Sequence, residues 1–189
     1  MKILLVCPCQ DPERRTPAAL QIPQVALNVL AAMTDERHDI RIIEEEFEDI
    51  DFSLEPDLVG VSIMTANAPR GYMVADHFRK KGAKVVIGGM HASVLPEEAI
   101  LHADAVVVGE GEAVWPQVMA DAEAGRMEGL YRAGEADLTA VPHPRRDLGK
   151  TKRFLNVNPV MTTRGCPYAC EFCSVSRVYG RKIRNFPVG

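Results

Sequence analysis

A chain of 189 residues has room for one full domain and a further piece, and 47% hydrophobic with 25% charged residues is the balance of an ordinary globular chain. No apolar run approaches the ~20 residues that cross a bilayer. The net charge is only −4, yet residues 145–189 carry ten Lys or Arg against two acidic residues, leaving residues 1–144 at −12. No aromatic-rich nucleic-acid motif accompanies that basic end, so nucleic acid is not an expected partner; its arginines read instead as parts of a second, incomplete domain.

The start, MKILLVCPC, has no small-residue cleavage site and reads as a strand rather than a secretory signal, so the cytoplasm is the expected location. Within it, Lys2–Cys7 is apolar, too short for a helix and bounded by Pro8. A polar, proline-bearing loop follows. Gln24–Met33 then places Val25, Val29 and Met33 at helical spacing behind Pro23. Asp39–Ile43 and Leu58–Ile63 read as strands, Arg70–Lys81 as a helix, and Lys84–Ile87 as a strand that stops at Gly88-Gly89. Pro96–Leu101 predicts a short helix, Ala105–Val108 a fifth strand, and Glu112–Ala124 a last helix ended by Gly125.

Five strands that are apolar nearly throughout, alternating with helices, predict a parallel sheet covered on both faces. The fold class is therefore α/β, doubly wound (Rossmann/flavodoxin-like), with the order 2-1-3-4-5. Beyond Met127 the pattern breaks. Leu130–Arg132 and Asp137–Thr139 read as a small hairpin around Gly134, and Val141–Asp147 as a proline-bearing linker. The domains expected are residues 1–126, a hairpin and linker over 127–157, and a new domain begun by a strand at Asn158–Thr163. One such strand without partners has nothing to bury against, so mobility, or packing on a neighbouring copy, is expected after Asp147.

In an open α/β sheet, ligands bind at the carboxyl ends of the strands. The unusual loops of this chain lie there: Cys7-Pro8-Cys9, Ser62 to Thr65, Gly88 to His91, and Gly109 to Glu112. The opposite loops are plain polar turns. Gly88-Gly89 allows backbone to approach a ligand, or makes a tight turn. Ser62 and Thr65 offer hydroxyls to a ligand, or cap the next helix. Glu110 and Glu112 sit where a helix begins, where a carboxylate also complements the dipole. The candidate binding residues are Ser62, Met64, Thr65, Gly88, Gly89, His91, Gly109, Glu110 and Gly111, and none is marked as catalytic. Cys7 and Cys9 read as small buried thiols, and Trp115, Val118 and Met119 as core.

Cys166, Cys170 and Cys173 stand at C-x3-C-x2-C in MTTRGCPYACEFC. Three thiolates so close can hold three irons of a [4Fe–4S] cube and leave the fourth open. Zinc would want a fourth ligand, and none follows at finger spacing; a disulfide leaves one thiol over.

RGCPYACEFC resembles the cluster-binding motif of radical S-adenosylmethionine (SAM) enzymes. The flanking Pro159, Thr163, Arg164, Gly165, Pro167 and Phe172 resemble the subgroup with an N-terminal cobalamin-binding domain, as do SIMT, GGMHAS and VVVGEGE earlier in the chain. The resemblance implies a cobalamin-binding-type domain at 1–126 and, at 158–189, the start of a radical SAM barrel. It also implies a [4Fe–4S] cluster on Cys166, Cys170 and Cys173, SAM cleavage to methionine and a 5′-deoxyadenosyl radical, and methyl transfer, cyclisation or rearrangement of a small-molecule substrate. A one-electron donor such as flavodoxin or ferredoxin is the implied partner. In that family the strand-three hydroxyls and the Gly-Gly loop line the groove for the nucleotide tail of cobalamin. One departure stands out: CPCQDPERR follows strand one where better-known cobalamin domains carry Asp-x-His-x-x-Gly, so no histidine is placed as lower cobalt ligand. Only 16 residues follow Cys173, too few for the barrel, so whether the chain catalyses anything stays open. A stand-alone cobalamin module with a vestigial cysteine tail, or a small iron–sulfur electron carrier, are the other readings.

Overall fold

The computed structural model describes residues 1–15, 24–148 and 159–187. The elements in chain order are β1 (Lys2–Cys7), α1 (Val25–Ala32), β2 (Asp39–Glu44), β3 (Leu58–Ser62), α2 (Ala68–Lys80), β4 (Lys84–Gly88), α3 (Met90–Val94), α4 (Pro96–Ala99), β5 (Ala105–Val108), α5 (Gly111–Glu123) and β6 (Gly129–Arg132). After the linker come β7 (Thr163–Arg164), α6 (Val175–Val178) and β8 (Arg184–Asn185). The main sheet has the order β2-β1-β3-β4-β5-β6, and every neighbouring pair in it is parallel.

Alternation along each strand divides the core between two faces. Leu4, Val6, Val59, Val61, Val85 and Ile87 pack with Val74 and Phe78 of α2. Ile3, Leu5, Leu58, Val86 and Val107 pack with Leu27 of α1 and with Trp115 and Val118 of α5. The order 2-1-3-4-5 holds, extended by one strand. The expected hairpin does not form. Leu130–Arg132 belongs to β6 and pairs parallel with β5, Val106 opposite Leu130 and Val108 opposite Arg132. The cause is α5, a crossover long enough to bring the chain back in the same direction. Asp137–Thr139 is a turn instead: the Asp137 side chain accepts from the Thr139 N–H at 2.9 Å and from its hydroxyl at 2.6 Å.

The helix expected at Pro96–Leu101 is split between α4 and a 3-10 turn at Ile100–His102, and α3 precedes it as a separate short helix. The strand expected at Asn158–Thr163 falls partly outside the described residues, and Pro159–Thr162 forms none. Thr163 and Arg164 pair antiparallel with Asn185 and Arg184 as β7–β8. Nor do residues 159–187 lack a surface to rest on. They lie on the carboxyl edge of the main sheet, tied by ion pairs from Arg164 and Arg184. Among the described residues, no helix is long and apolar enough to cross a membrane.

Candidate functional site

A cavity of about 520 Å³ opens on the α1/α5 side of the sheet. Leu5, Val86, Val107 and Trp115 supply its apolar lining. The Trp115 indole N–H donates to Thr34 Oγ1 at 2.9 Å, which fixes the ring. Gly60 keeps the interior open. A Cβ there would come within 2.8 Å of Leu5 Cδ2 and 3.9 Å of Trp115 Cη2. A glycine inside a buried strand costs conformational entropy and commonly marks the close approach of something else.

Strand ends supply the rim: Ser62 from β3, Gly88 and Gly89 from β4, Gly109 after β5, and Gly111 and Glu112 at the start of α5. A Cβ at Gly88 would sit 3.7 Å from Val107 Cβ, an ordinary contact, so a side chain there would occupy cavity space. Gly89 has φ of +100°, and a Cβ would lie 2.5 Å from Ile63 O. Its glycine is required by the turn as well as by the rim. The far wall is the cysteine-bearing segment, through Met161, Thr163, Arg164, Gly165, Val175 and Tyr179.

Of the expected binding residues, Ser62, Gly88, Gly89, Gly109 and Gly111 line this cavity. Met64, Thr65, His91 and Glu110 do not. Met64 is exposed. His91 is buried on the α2 side, near the Tyr72 ring, with Nδ1 3.2 Å from Thr65 Oγ1 and Nε2 3.4 Å from Glu98 Oε1. Glu110 accepts from the Ala136 N–H at 3.0 Å, from Arg164 at 2.9 Å and from Arg184. Burial pushes its carboxyl up, but bonds from Arg184, Ala136 and Arg164 outweigh that and hold it below the usual carboxylate range. Gly60, Leu27 and Leu30 belong to the cavity without having been singled out, and Val25 and Arg164 line it without having been named as binding residues. A glycine within LVGVS was the one legible signal for Gly60.

Cys7 and Cys9 are free thiols at the β1 end. Burial, with help from Glu44 and other acids, pushes Cys7 up to about 12; burial and Glu45 do the same for Cys9. Protonated thiols are poor metal ligands and nucleophiles. Cys166, Cys170 and Cys173 are also unpaired, the middle one exposed and the outer two half-buried. The Cys173 N–H donates to Cys170 O at 3.1 Å, closing one turn. The three are not drawn around one point: among the described residues, no three His, Cys, Asp or Glu side chains stand ready to share a metal ion. As a donor set they suit iron–sulfur ligation, being three unpaired thiols within eight residues.

Comparison with known proteins gives the chain a family. The chain is 35% identical over 170 residues to the bacteriochlorophyllide d C-8(2)-methyltransferase of Chlorobaculum tepidum, covering 85% of this chain and 37% of that protein. It is 30% identical to the C-12(1)-methyltransferase of the same organism, covering 97% of this chain and 42% of the relative. The hopanoid C-3 methylase of Methylococcus capsulatus is also 30% identical, with 97% and 41% covered. The chain thus spans less than half the length of these relatives. The profile of the B12 binding domain matches residues 15–119, more than half of the chain and most of the main sheet with its covering helices. This chain belongs to the B12-binding domain family.

Proposed function

We propose that the chain is the cofactor-binding part of a cobalamin-dependent radical SAM methyltransferase. In this reading the cavity takes the nucleotide tail of cobalamin, and Cys166, Cys170 and Cys173 hold a [4Fe–4S] cluster. The observation that carries it is the cavity itself, apolar inside, rimmed by glycines at the strand ends, and walled on one side by the cysteine segment. An electron carrier has no need of such a space. The relatives' names as methyltransferases and methylases favour methyl transfer over cyclisation or rearrangement.

When bound, the cluster supplies one-electron cleavage of SAM and cobalamin supplies methyl-transfer chemistry. The chain's own residues bind and orient. Leu5, Val86, Val107 and Trp115 exclude water from a buried ring system, and the Ser62 hydroxyl offers a hydrogen bond at the rim. Among the described residues, no histidine or cysteine lines the cavity. Arg164 and Gly165 set the start of the cysteine loop beside the same space. The remaining assignments are a small-molecule substrate, a flavodoxin- or ferredoxin-type electron donor, and a reducing cytoplasm, with which five free cysteines agree.

Anaerobic reconstitution with iron and sulfide tests the cluster, with about four irons per chain expected. Serine at any one of the three cysteines should abolish uptake. Iron content indifferent to all three substitutions would refute the assignment.

A further inference from the structure

Two acids and two arginines, far apart in the chain, meet in a place sheltered from water. Arg164 donates through Nη1 to Glu110 Oε2 at 2.9 Å and through Nη2 to Glu112 Oε1 at 2.7 Å. Arg184 donates to both Glu110 oxygens and, at 3.1 Å, to Ala136 O. The Glu110 side chain is 1% exposed and that of Arg164 8%. Tyr179 and Phe186 flank the Arg164 guanidinium, their ring centres 5.6 and 5.5 Å away. A buried ion pair adds little net stability, because desolvation offsets the attraction. Removing one member is costly, because the other is left as an uncompensated charge. Such a group therefore has one good arrangement and no cheap alternative.

What it arranges is the cysteine loop. Glu110 and Glu112 flank Gly111, a rim residue of the cavity, and Arg164 is itself part of the opposite wall. Gly165 follows with φ of +95°, packed on the Lys182 carbonyl where a Cβ would not fit. The Cys166 N–H then donates to Gly180 O at 3.2 Å. Only Gly165 separates the ion-paired arginine from the first thiol.

We propose that Glu110, Glu112, Arg164 and Arg184 form a clamp that positions Cys166 and holds the cysteine segment as the movable wall of the cavity. Glu110 and Arg164 are positioning residues. A molecule filling the cavity touches both the sheet edge and residues Thr163 to Gly165, so it binds the clamped arrangement in preference to the released one. Occupancy then favours the clamped position of Cys166, and the clamp in turn raises affinity for the occupant. Only the identity of that occupant rests on the cobalamin assignment.

Site-resolved alkylation with iodoacetamide, read by mass spectrometry on the whole chain, tests this in two arms. Without ligand, Cys166 should label more slowly than the exposed Cys170. Glu110→Gln should raise the Cys166-to-Cys170 labelling ratio about tenfold, as loss of charge-assisted bonds implies. Glu112→Gln should raise it less, and Glu110→Asp, which keeps the charge, should restore much of the protection. With hydroxocobalamin, Cys166 labelling should slow further in the wild type and not in Glu110→Gln. Should Glu110→Gln fail to fold, Glu112→Gln serves the same comparison. An unchanged ratio in Glu110→Gln and Glu112→Gln, or equal hydroxocobalamin protection in every variant, would overturn the clamp. A wild type that retains no hydroxocobalamin while Glu110→Gln still frees Cys166 would reject the cobalamin assignment and support the clamp.

Discussion

The indole of Trp115 donates to the Thr34 hydroxyl at 2.9 Å, and that hydroxyl donates onward to Leu30 O at 2.7 Å. The pair joins α5 to the end of α1 and holds a cavity-lining ring in one orientation. Thr34→Val should leave a buried N–H without a partner, a loss of about 1–3 kcal/mol. Denaturant unfolding checks this, and a midpoint unchanged from the wild type would show that the bond contributes nothing.

The two adjacent rim glycines should behave differently. Gly88→Val adds a side chain beside Val107 at an ordinary contact distance, so the domain should stay folded and lose cavity volume. Gly89→Ala meets Ile63 O at 2.5 Å and needs a positive φ, so it should destabilise by more than 1 kcal/mol, beyond the usual penalty for φ above zero. Thermal melts of both variants, with that of Gly89→Ala clearly lower, are the check.

Cys7 and Cys9 should be inert where the loop cysteines react. Their thiols are pushed up to about 12, so at pH 8 both remain protonated. The folded value lies above that of a free thiol, about 8.5, so their contribution to stability is present below that pH and lost as pH rises toward 12. A thiol count on the native chain should find the three loop cysteines reacting ahead of Cys7 and Cys9, with Cys166 behind Cys170, and all five becoming fast after unfolding. Five fast thiols in the native state would contradict the burial.

Glu110 gives the opposite pH dependence. Its folded carboxyl titrates below the ordinary range, so its contribution is complete above the unfolded value of about 4.3 and declines as pH falls through the folded one. Acidification below pH 4 should therefore release the 159–187 segment and speed proteolysis there. Glu110→Gln should lose this dependence, and a wild type that responds to acid no differently from Glu110→Gln would argue against the pair.

Much of the sheet was legible in the sequence because its strands are apolar runs bounded by turns. The bounds of β1 and β5 match the expected Lys2–Cys7 and Ala105–Val108, and the order 2-1-3-4-5 holds. The sixth strand was not legible. Gly129–Arg132 is exposed at every position but Tyr131 and sits at the sheet edge, so its sequence lacks the buried-strand pattern. At the site, Ser62 and the glycines follow from the rule about strand ends, whereas Thr65 and His91 turn to the opposite face, which no local pattern reveals. The Arg164–Glu110 pair spans 54 residues and depends on the folded tail.

The cavity contains the chain's one tryptophan, which makes its occupancy directly readable. Titration with hydroxocobalamin should quench Trp115 fluorescence saturably, at one equivalent per chain, and Gly88→Val should abolish the saturable part. A response linear in added cobalamin and the same in both proteins would contradict the cobalamin site on which this account is built.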